Sequence, residues 1–528
     1  MNLFGFKNPF YDFLLEKSSI NKISFVPENL WTGDLENGRK IINGFLSFDN
    51  ESIVFDLETW KKNKASTAWN EKLHSFDWVD DIKVLRTNKA RIFLRSNLKQ
   101  WLLFHGNWDP SKWKINILSK RICNLLSNTS FFYETADDKF QKRFSKTLSK
   151  QSIHLLKNYK EKLSGSEKIF IPKAIIISSI CFKNIENKLE LGMKILHDII
   201  QTDITNDGMH YLRSPSNHFF FLKSLIDIKN FLSLSNYKIP RFLNDVVGKM
   251  GAVLKFFKIN NNELAIFNDY NFVEHSKLNE VIKRSNTKIR TPDNINNSGF
   301  QRVSENRLTL IMDCGSPSNE KTYAGSLSFE FSHIGEKIVV NSGSPFVNDK
   351  KWHEAMRSTA AHSTMTIDDY NSSDIFFEKD TDTRIANVWS EKLQDKDSFL
   401  INSAHSGYNS LFGLIHNRKI HIDSKNLIIR GQDYFSKSTK FPDKIPKKLF
   451  LRFHIHPDIK SNVTVSKKKV LLKLKNNIAW EFICSEAKIE LRDGIYLGTK
   501  KKIDNNYIEI CERLLPGKKI KWAFRLIR

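Results

Sequence analysis

The stretch from Asn206 to His218 gathers most of what this chain offers for proton transfer and anion binding. Asp207, His210, Arg213, Asn217 and His218 fall within one short polar segment, punctuated by Gly208 and Pro215. Those two residues mark a loop rather than a helix interior. Imidazoles exchange protons near neutral pH, and guanidinium and amide groups are natural partners of carboxylates. Directly after the loop, Phe220, Leu222, Leu225, Ile226, Ile228 and Phe231 recur at helical spacing. Ser214 followed by Pro215 suits the start of that helix, Ser as N-cap and Pro in the first turn. The polar loop therefore sits at a helix N-terminus, where unpaired N–H groups favour an anion.

Two more clusters carry similar groups. Arg357 to Asp369 holds Arg357 and, five residues on, His362 at the start of an expected strand; Asn341-Ser342-Gly343-Ser344-Pro345 makes another loop nearby. Ala404-His405-Ser406-Gly407-Tyr408 precedes His416 and Arg418, which lie two apart and so share one face of a strand, as do Arg452, His454 and His456. The ordinary role of any single histidine is a hydrogen-bonded structural one. What favours function here is company, since several segments carry His beside Arg or Asn.

These clusters need a frame, and the chain changes character along its length. Residues 1–112 look irregular and tryptophan-rich, with Trp31, Trp60, Trp69, Trp78, Trp101 and Trp108. Such indoles either line a sugar-binding surface or anchor the segment on a helical body; packing is the favoured reading. Residues 113–290 are read as a helical domain. Its expected helices are Trp113–Leu126, Lys139–Leu163, Ile175–Ile185, Leu189–Thr202, Asn217–Ser235 and Arg241–Phe257, whose short connections suggest a bundle or an α/α toroid. Glu274–Asn297 is polar and basic, as in a linker or mobile loop. From 299 to 528 the period switches toward two, in many short segments such as Leu308–Cys314, Ser326–Ser332, Leu414–Ile422 and Lys448–His456, implying an antiparallel β-sandwich-like domain. The expected class is multidomain α+β, helices first and sheets second.

Composition narrows the partners. The formal net charge of +25 points to a polyanion, an acidic polysaccharide or a nucleic acid, although lysine-rich composition throughout the chain would give the same sum. No helix-turn-helix, zinc-finger or RRM signature is visible, so no specific nucleic acid is expected. No apolar run approaches the roughly 20 residues of a membrane span. Met1–Pro9 does not read as a signal peptide, which makes a cytoplasmic location the expectation from sequence alone. Five scattered cysteines with no CxxC pair are read as reduced thiols. No cofactor is expected. A structural divalent metal in the β-domain would have the His454/His456 pair, but no third ligand at recognisable spacing.

An ordered set of motifs completes the reading. Asp207-Gly208-Met209-His210-Tyr211-Leu212-Arg213-Ser214-Pro215 is followed by Ser298-Gly299-Phe300-Gln301-Arg302, Ala324-Gly325-Ser326-Leu327-Ser328-Phe329-Glu330 and Val339-Val340-Asn341-Ser342-Gly343. Arg357-Ser358-Thr359-Ala360-Ala361-His362-Ser363-Thr364, His405-Ser406-Gly407-Tyr408 and Arg452-Phe453-His454-Ile455-His456-Pro457 close the series. In this order they resemble the heparinase II/III family of polysaccharide lyases, over most of the chain. The resemblance implies an N-terminal α/α toroid, a C-terminal antiparallel β-domain, an acidic glycan held in a cleft between them, and a periplasmic or cell-envelope location. It also implies β-elimination at a uronic acid, which requires a neutralised carboxylate, a base for the C5 proton and an acid for the O4 leaving group. Carried over to this chain, Asn217 and Arg213 would bind the carboxylate. Tyr270 would act as base and acid, its phenol lowered by a nearby cation, and His362 or His218 would assist. His210, Arg357 and His405 would contact substrate. A second reading from another class is a non-catalytic glycan- or polyanion-binding protein on the same fold.

Overall fold

The structure is a computed structural model and describes residues 9–49, 51–161, 163–259, 263–317, 323–345, 350–375, 383–438, 446–484 and 486–527. The chain forms two compact units: one comprises the residues up to Asp203 together with Lys223–Val246, the other Ile204–Leu222 with Val247–Arg528. The helix Pro215–Leu234 begins in one unit and ends in the other.

The first unit is an α/α toroid. Helix Ile115–Leu126 packs between Thr67–Ser75 and Phe170–Cys181; Asp138–Asn158 packs on Ile115–Leu126 and Phe170–Cys181, and Leu189–Asp203 on Phe170–Cys181. The sequence Phe-Ile-Pro-Lys-Ala-Ile-Ile-Ile-Ser-Ser-Ile-Cys is apolar on every face, so Phe170–Cys181 is buried all round. Its one cation, Lys173, is buried against Asp227 at 2.6 Å, and Trp31 Nε1 donates to the other oxygen of that carboxylate. Trp31, Trp60, Trp69, Trp78, Trp101 and Trp113 are all buried; Trp60 Nε1 donates to Asn97 Oδ1 at 2.9 Å and Trp101 Nε1 to His74 Nδ1 at 3.2 Å. These indoles meet protein rather than glycan. The segment read as irregular is in fact ordered: it contains the helix Asn88–His105, N-capped by Thr87, and the hairpin Phe45–Phe48 with Glu51–Val54.

The second unit carries a β-sandwich. One sheet has eight antiparallel strands in the spatial order Lys460–Val463, Lys469–Lys473, Ala479–Ile483, Ile520–Ile527, Ile428–Lys437, Leu414–Asp423, Ser398–Tyr408 and Val388–Asp395. The other runs Glu490–Tyr496, Ile503–Arg513, Lys448–Ile455, Glu336–Val340, Phe329–His333, Leu308–Asp313, Phe300–Glu305 and Asn294–Ile295, with Met365–Ile367 also paired to Lys448–Ile455. Alternate residues of both fill one apolar core, including Leu310, Phe329, Phe453, Ile420, Phe482 and Trp522. Glu274–Asn297, expected as a linker, instead holds the helix His275–Ser285, whose Leu278 and Val281 are buried. No helix among the described residues is long and apolar enough to cross a membrane.

One charged network lies inside this core. Asp433 accepts from Arg418 Nε at 2.7 Å, His416 Nε2 at 2.8 Å and Trp522 Nε1 at 2.8 Å. Burial opposes the Asp433 charge, but Arg418 and His416 outweigh it and hold the carboxyl at about 2. The same guanidinium donates to the carbonyls of Leu327 and Ser363 at 2.7 and 2.9 Å. The interior ion pair thus anchors the backbone next to His362.

Candidate active site in the sheet-containing unit

The loop over residues 204–214 is built to be rigid. Asp207 accepts from the Ser298 N–H at 3.0 Å and hydroxyl at 2.9 Å. Arg213 sits at φ 53°, in the left-handed region, with its guanidinium ion-paired to Asp313, donating to Ser298 O at 2.8 Å and lying 4.8 Å over the Phe300 ring. Its fork is spent on holding the loop to the first strands of the sandwich. Ser214 is the N-cap, as its sequence context suggests: its hydroxyl takes the Asn217 N–H at 3.4 Å and donates to Asp269 O at 2.6 Å. Asn217 Nδ2 donates to the same carbonyl at 3.0 Å, and the Asn271 N–H donates to Ser216 Oγ at 2.8 Å. The first turn of the helix is therefore clipped onto the turn that carries Tyr270.

From that turn a chain of contacts leads to His362. The Tyr270 N–H donates to Ser344 Oγ at 3.0 Å, and Ser344 also makes a short hydrogen bond with the Tyr323 hydroxyl. Tyr323 is held by its own N–H to Asn268 Oδ1 at 3.0 Å; its ring meets that of His362 edge-on at 5.9 Å, and the Arg357 guanidinium stands 5.7 Å from it. His362 Nδ1 donates to Ser358 O at 2.8 Å, and Nε2 has no hydrogen-bond partner among the described residues. That places the lone pair on Nε2. Burial lowers the imidazole to about 4, so it is neutral at neutral pH. The ring lies against Gly325, where a Cβ would come within 2.6 Å of Cδ2 and 3.0 Å of Nε2. Asn341 locks the next residue, accepting from the Ser363 N–H at 3.1 Å.

Asn217, Tyr270, Arg357 and His362 thus belong to one connected neighbourhood. The remaining histidines are held by other partners. His218 donates from Nε2 to Met250 O at 2.8 Å and accepts the His210 N–H on Nδ1 at 3.3 Å, so backbone takes both ring nitrogens. His210 is fully buried, its ring tilted against that of Phe221 at 5.0 Å, with Nδ1 accepting from the Leu212 N–H. His405 is inside the strand Ser398–Tyr408, not in a loop, and its Nε2 bonds His416 Nδ1 at 3.1 Å as an extension of the Asp433 network. His454 is likewise engaged, Nε2 to Ala360 O at 2.9 Å and Nδ1 to Ser342 Oγ at 3.4 Å. Among the described residues no three His, Cys, Asp or Glu are grouped to hold a metal ion.

Tyr270 also departs from its expected chemistry. Its ring is only 3% exposed. Burial raises the phenol well above its ordinary range, and the nearby Lys337, the cation the sequence called for, offsets this only partly. Tyr323 is raised in the same way, by burial first. Both phenols stay protonated, able to donate rather than accept.

Comparison with known proteins decides the family. Residues 42–294 match the model for the heparinase II/III N-terminus, and residues 288–523 that for the heparinase II/III-like C-terminal region. The chain belongs to the heparinase II/III family. FtsZ-localized protein C of Caulobacter vibrioides (strain NA1000 / CB15N) is 22% identical over 510 residues, spanning 93% of this chain and 88% of that protein. Among solved structures, heparinase III superposes with a TM-score of 0.73 at 15% identity, covering 98% of this chain and 89% of that one. The heparan sulfate lyase HepC from Pedobacter heparinus does so with a TM-score of 0.63 at 13% identity, covering 98% and 87%. This family member therefore has the polysaccharide-lyase fold along nearly its whole length.

Sequence reasoning missed Tyr323, which stands immediately before the Ala324-Gly325 motif. Nothing in its spacing separates it from a packing aromatic. It is found only through the partners it meets, Ser344, His362 and Arg357.

Proposed function

We propose that the protein is a polysaccharide lyase that cleaves a uronic-acid-containing glycan by β-elimination. The observation that carries this reading is His362: a neutral imidazole with its lone pair on an uncommitted Nε2, its ring edge-on to that of Tyr323, which in turn lies beneath the Arg357 guanidinium. In this scheme Arg357 and Asn217 neutralise the uronate carboxylate, which stabilises the charge that develops when C5 loses its proton. His362 Nε2 takes that proton. The C4–O4 bond breaks, the C4=C5 double bond forms, and O4 leaves with a proton from a tyrosine hydroxyl. Tyr323 is the phenol beside His362; Tyr270 is the second, joined to it through Ser344. A raised phenol pKa suits a donor to an alkoxide and makes the same group a poor base, so acceptance falls to the histidine.

Incubation with heparan sulfate, hyaluronan, alginate and related glycans tests this, because each elimination creates an unsaturated uronide that absorbs in the ultraviolet. His362→Ala is expected to lower the rate by about 10²–10⁴-fold, the usual contribution of general base catalysis; unchanged cleavage would end the proposal. Comparing Tyr323→Phe with Tyr270→Phe identifies the acid. The second reading, a glycan-binding protein without catalysis, is favoured by one observation: a relative aligned over most of the chain is named for its localisation rather than for an activity. It predicts glycan binding with no chromophore from any substrate.

A further inference from the structure

The eight-stranded sheet has an outer face that the core does not use. Because opposed residues in an antiparallel sheet point the same way, the register defines rows across that face. One row runs Leu400, His421, Arg430, Ala523 and Ile483; the next runs Asn402, Lys419, Gln432 and Lys521. Small Ala523 between longer neighbours leaves a shallow groove of about 390 Å³, lined by Lys419, Arg430, Gln432 and Lys521 with no carboxylate among its lining residues. Lys419, Arg430 and Lys521 are exposed and form no ion pair among the described residues. Acids share the face as well: Asp423, whose carboxyl is lowered first by its hydrogen bonds from Asn426 at 2.9 Å, is near enough to Arg430 for the guanidinium to help lower it, and exposed Glu391 and Asp395 stand on the edge strand. Glu481 is held by Arg525 and Lys469.

We propose that this face is a second, non-catalytic docking surface for an acidic polysaccharide chain. Two features select that occupant. Lys419 and Lys521 are two strands apart, roughly 10 Å between backbones at the spacing of a sheet, with Arg430 on the row beside them, an extended line of cations suited to charges carried on successive units of a polymer. The adjoining row opens with Trp389, 50% exposed, giving a flat apolar surface on which a sugar ring packs, and ends at Tyr434, whose ring lies under Lys519 Nζ at 5.7 Å, while the Gln432 side-chain amide has no protein partner among the described residues and faces the same groove. Cations, an aromatic and a free amide on a rigid sheet fit a charged, hydroxylated chain. The groups involved are separate from His362 and its neighbours, so the surface acts by retention and not by chemistry.

The test uses the full chain carrying His362→Ala, so that binding is read without cleavage, and fluorescently labelled heparan sulfate oligosaccharide as the probe. Lys419→Ala/Arg430→Ala/Lys521→Ala is expected to weaken binding by about tenfold or more at low ionic strength, where such charges act most strongly. Trp389→Ala is expected to weaken it several-fold at any salt, and neutral dextran is expected not to bind. Equal affinity of the triple variant and its parent overturns the proposal. So does tighter binding of a single-stranded RNA than of the oligosaccharide with Trp389→Ala leaving the oligosaccharide affinity unchanged. In the background with His362 restored, uronide formation from a short oligosaccharide is expected to be the same for parent and triple variant, so a failed docking surface is distinguished from a failed lyase assignment.

Discussion

Gly325→Ala isolates the position of His362 from its chemistry. An added Cβ would lie 2.6 Å from His362 Cδ2, 2.9 Å from Cγ and 3.0 Å from Nε2. Carbon atoms rest at about 3.5–4.0 Å, so the ring must retreat by about 1 Å. The retreat strains the 2.8 Å bond from Nδ1 to Ser358 O that sets the tautomer. A displacement of about 1 Å at a reacting group costs on the order of 10²-fold in rate, about 2.7 kcal/mol in the barrier. The packing cost to the fold is about 1–3 kcal/mol, typical of an overfilled core. Gly325 does not have a positive φ, so alanine brings no backbone penalty of its own. The assay is the initial rate of ultraviolet-absorbing uronide formation on the best substrate of the panel, with urea unfolding of the same preparation as the control for folding. A folded variant that keeps the parental rate would refute the claim that His362 must sit where the structure holds it.

Three further outcomes follow from the cited geometry. If His362 in its neutral form is the base, its lowered pKa means that kcat/KM holds level as the pH falls from 7 and is halved near pH 4; an acidic limb near the ordinary histidine value of about 6.5 would exclude it. Asp433→Asn leaves Arg418 buried without its counter-charge and is expected to destabilise the sheet unit by about 3–5 kcal/mol in chemical denaturation; a loss below about 1 kcal/mol would show that the network is dispensable. Lys173→Met strands the buried Asp227 carboxylate at a similar cost, and adding Asp227→Leu is expected to restore much of it, measured by the unfolding midpoint.

The helix-then-sheet order was legible because periodicity survives in single segments. Arg241–Phe257 is read with its observed bounds, and Ser214-Pro215 marks a true helix start. Asn88–His105 escaped notice because its buried stripe of Ala90, Leu94, Leu98, Trp101 and Leu102 is interleaved with Arg91, Arg95 and Lys99, so the helical period is obscured. At the site, residue type alone could not separate catalytic from structural histidines. His218, His405 and His454 look as chemical as His362 in sequence; only the structure shows their nitrogens taken by Met250 O, His416 and Ala360 O. Arg213 is similar, since a guanidinium for substrate and one for Asp313 are indistinguishable until the partner is seen. The expected fall in the Tyr270 pKa failed for a general reason: proximity to a cation is readable as composition, but depth is not.

The helix Pro215–Leu234 has a consequence for how this protein can be cut or recombined. Asp227, which neutralises Lys173 and receives Trp31, lies beyond the segment whose first turn is fastened to the Tyr270 loop. Truncation after Asp203 would leave a lysine and an indole stranded in a half-finished interior, and starting the chain at Val247 would remove Asn217 along with its anchorage. Neither half is therefore expected to fold as a free-standing cassette in a gene fusion.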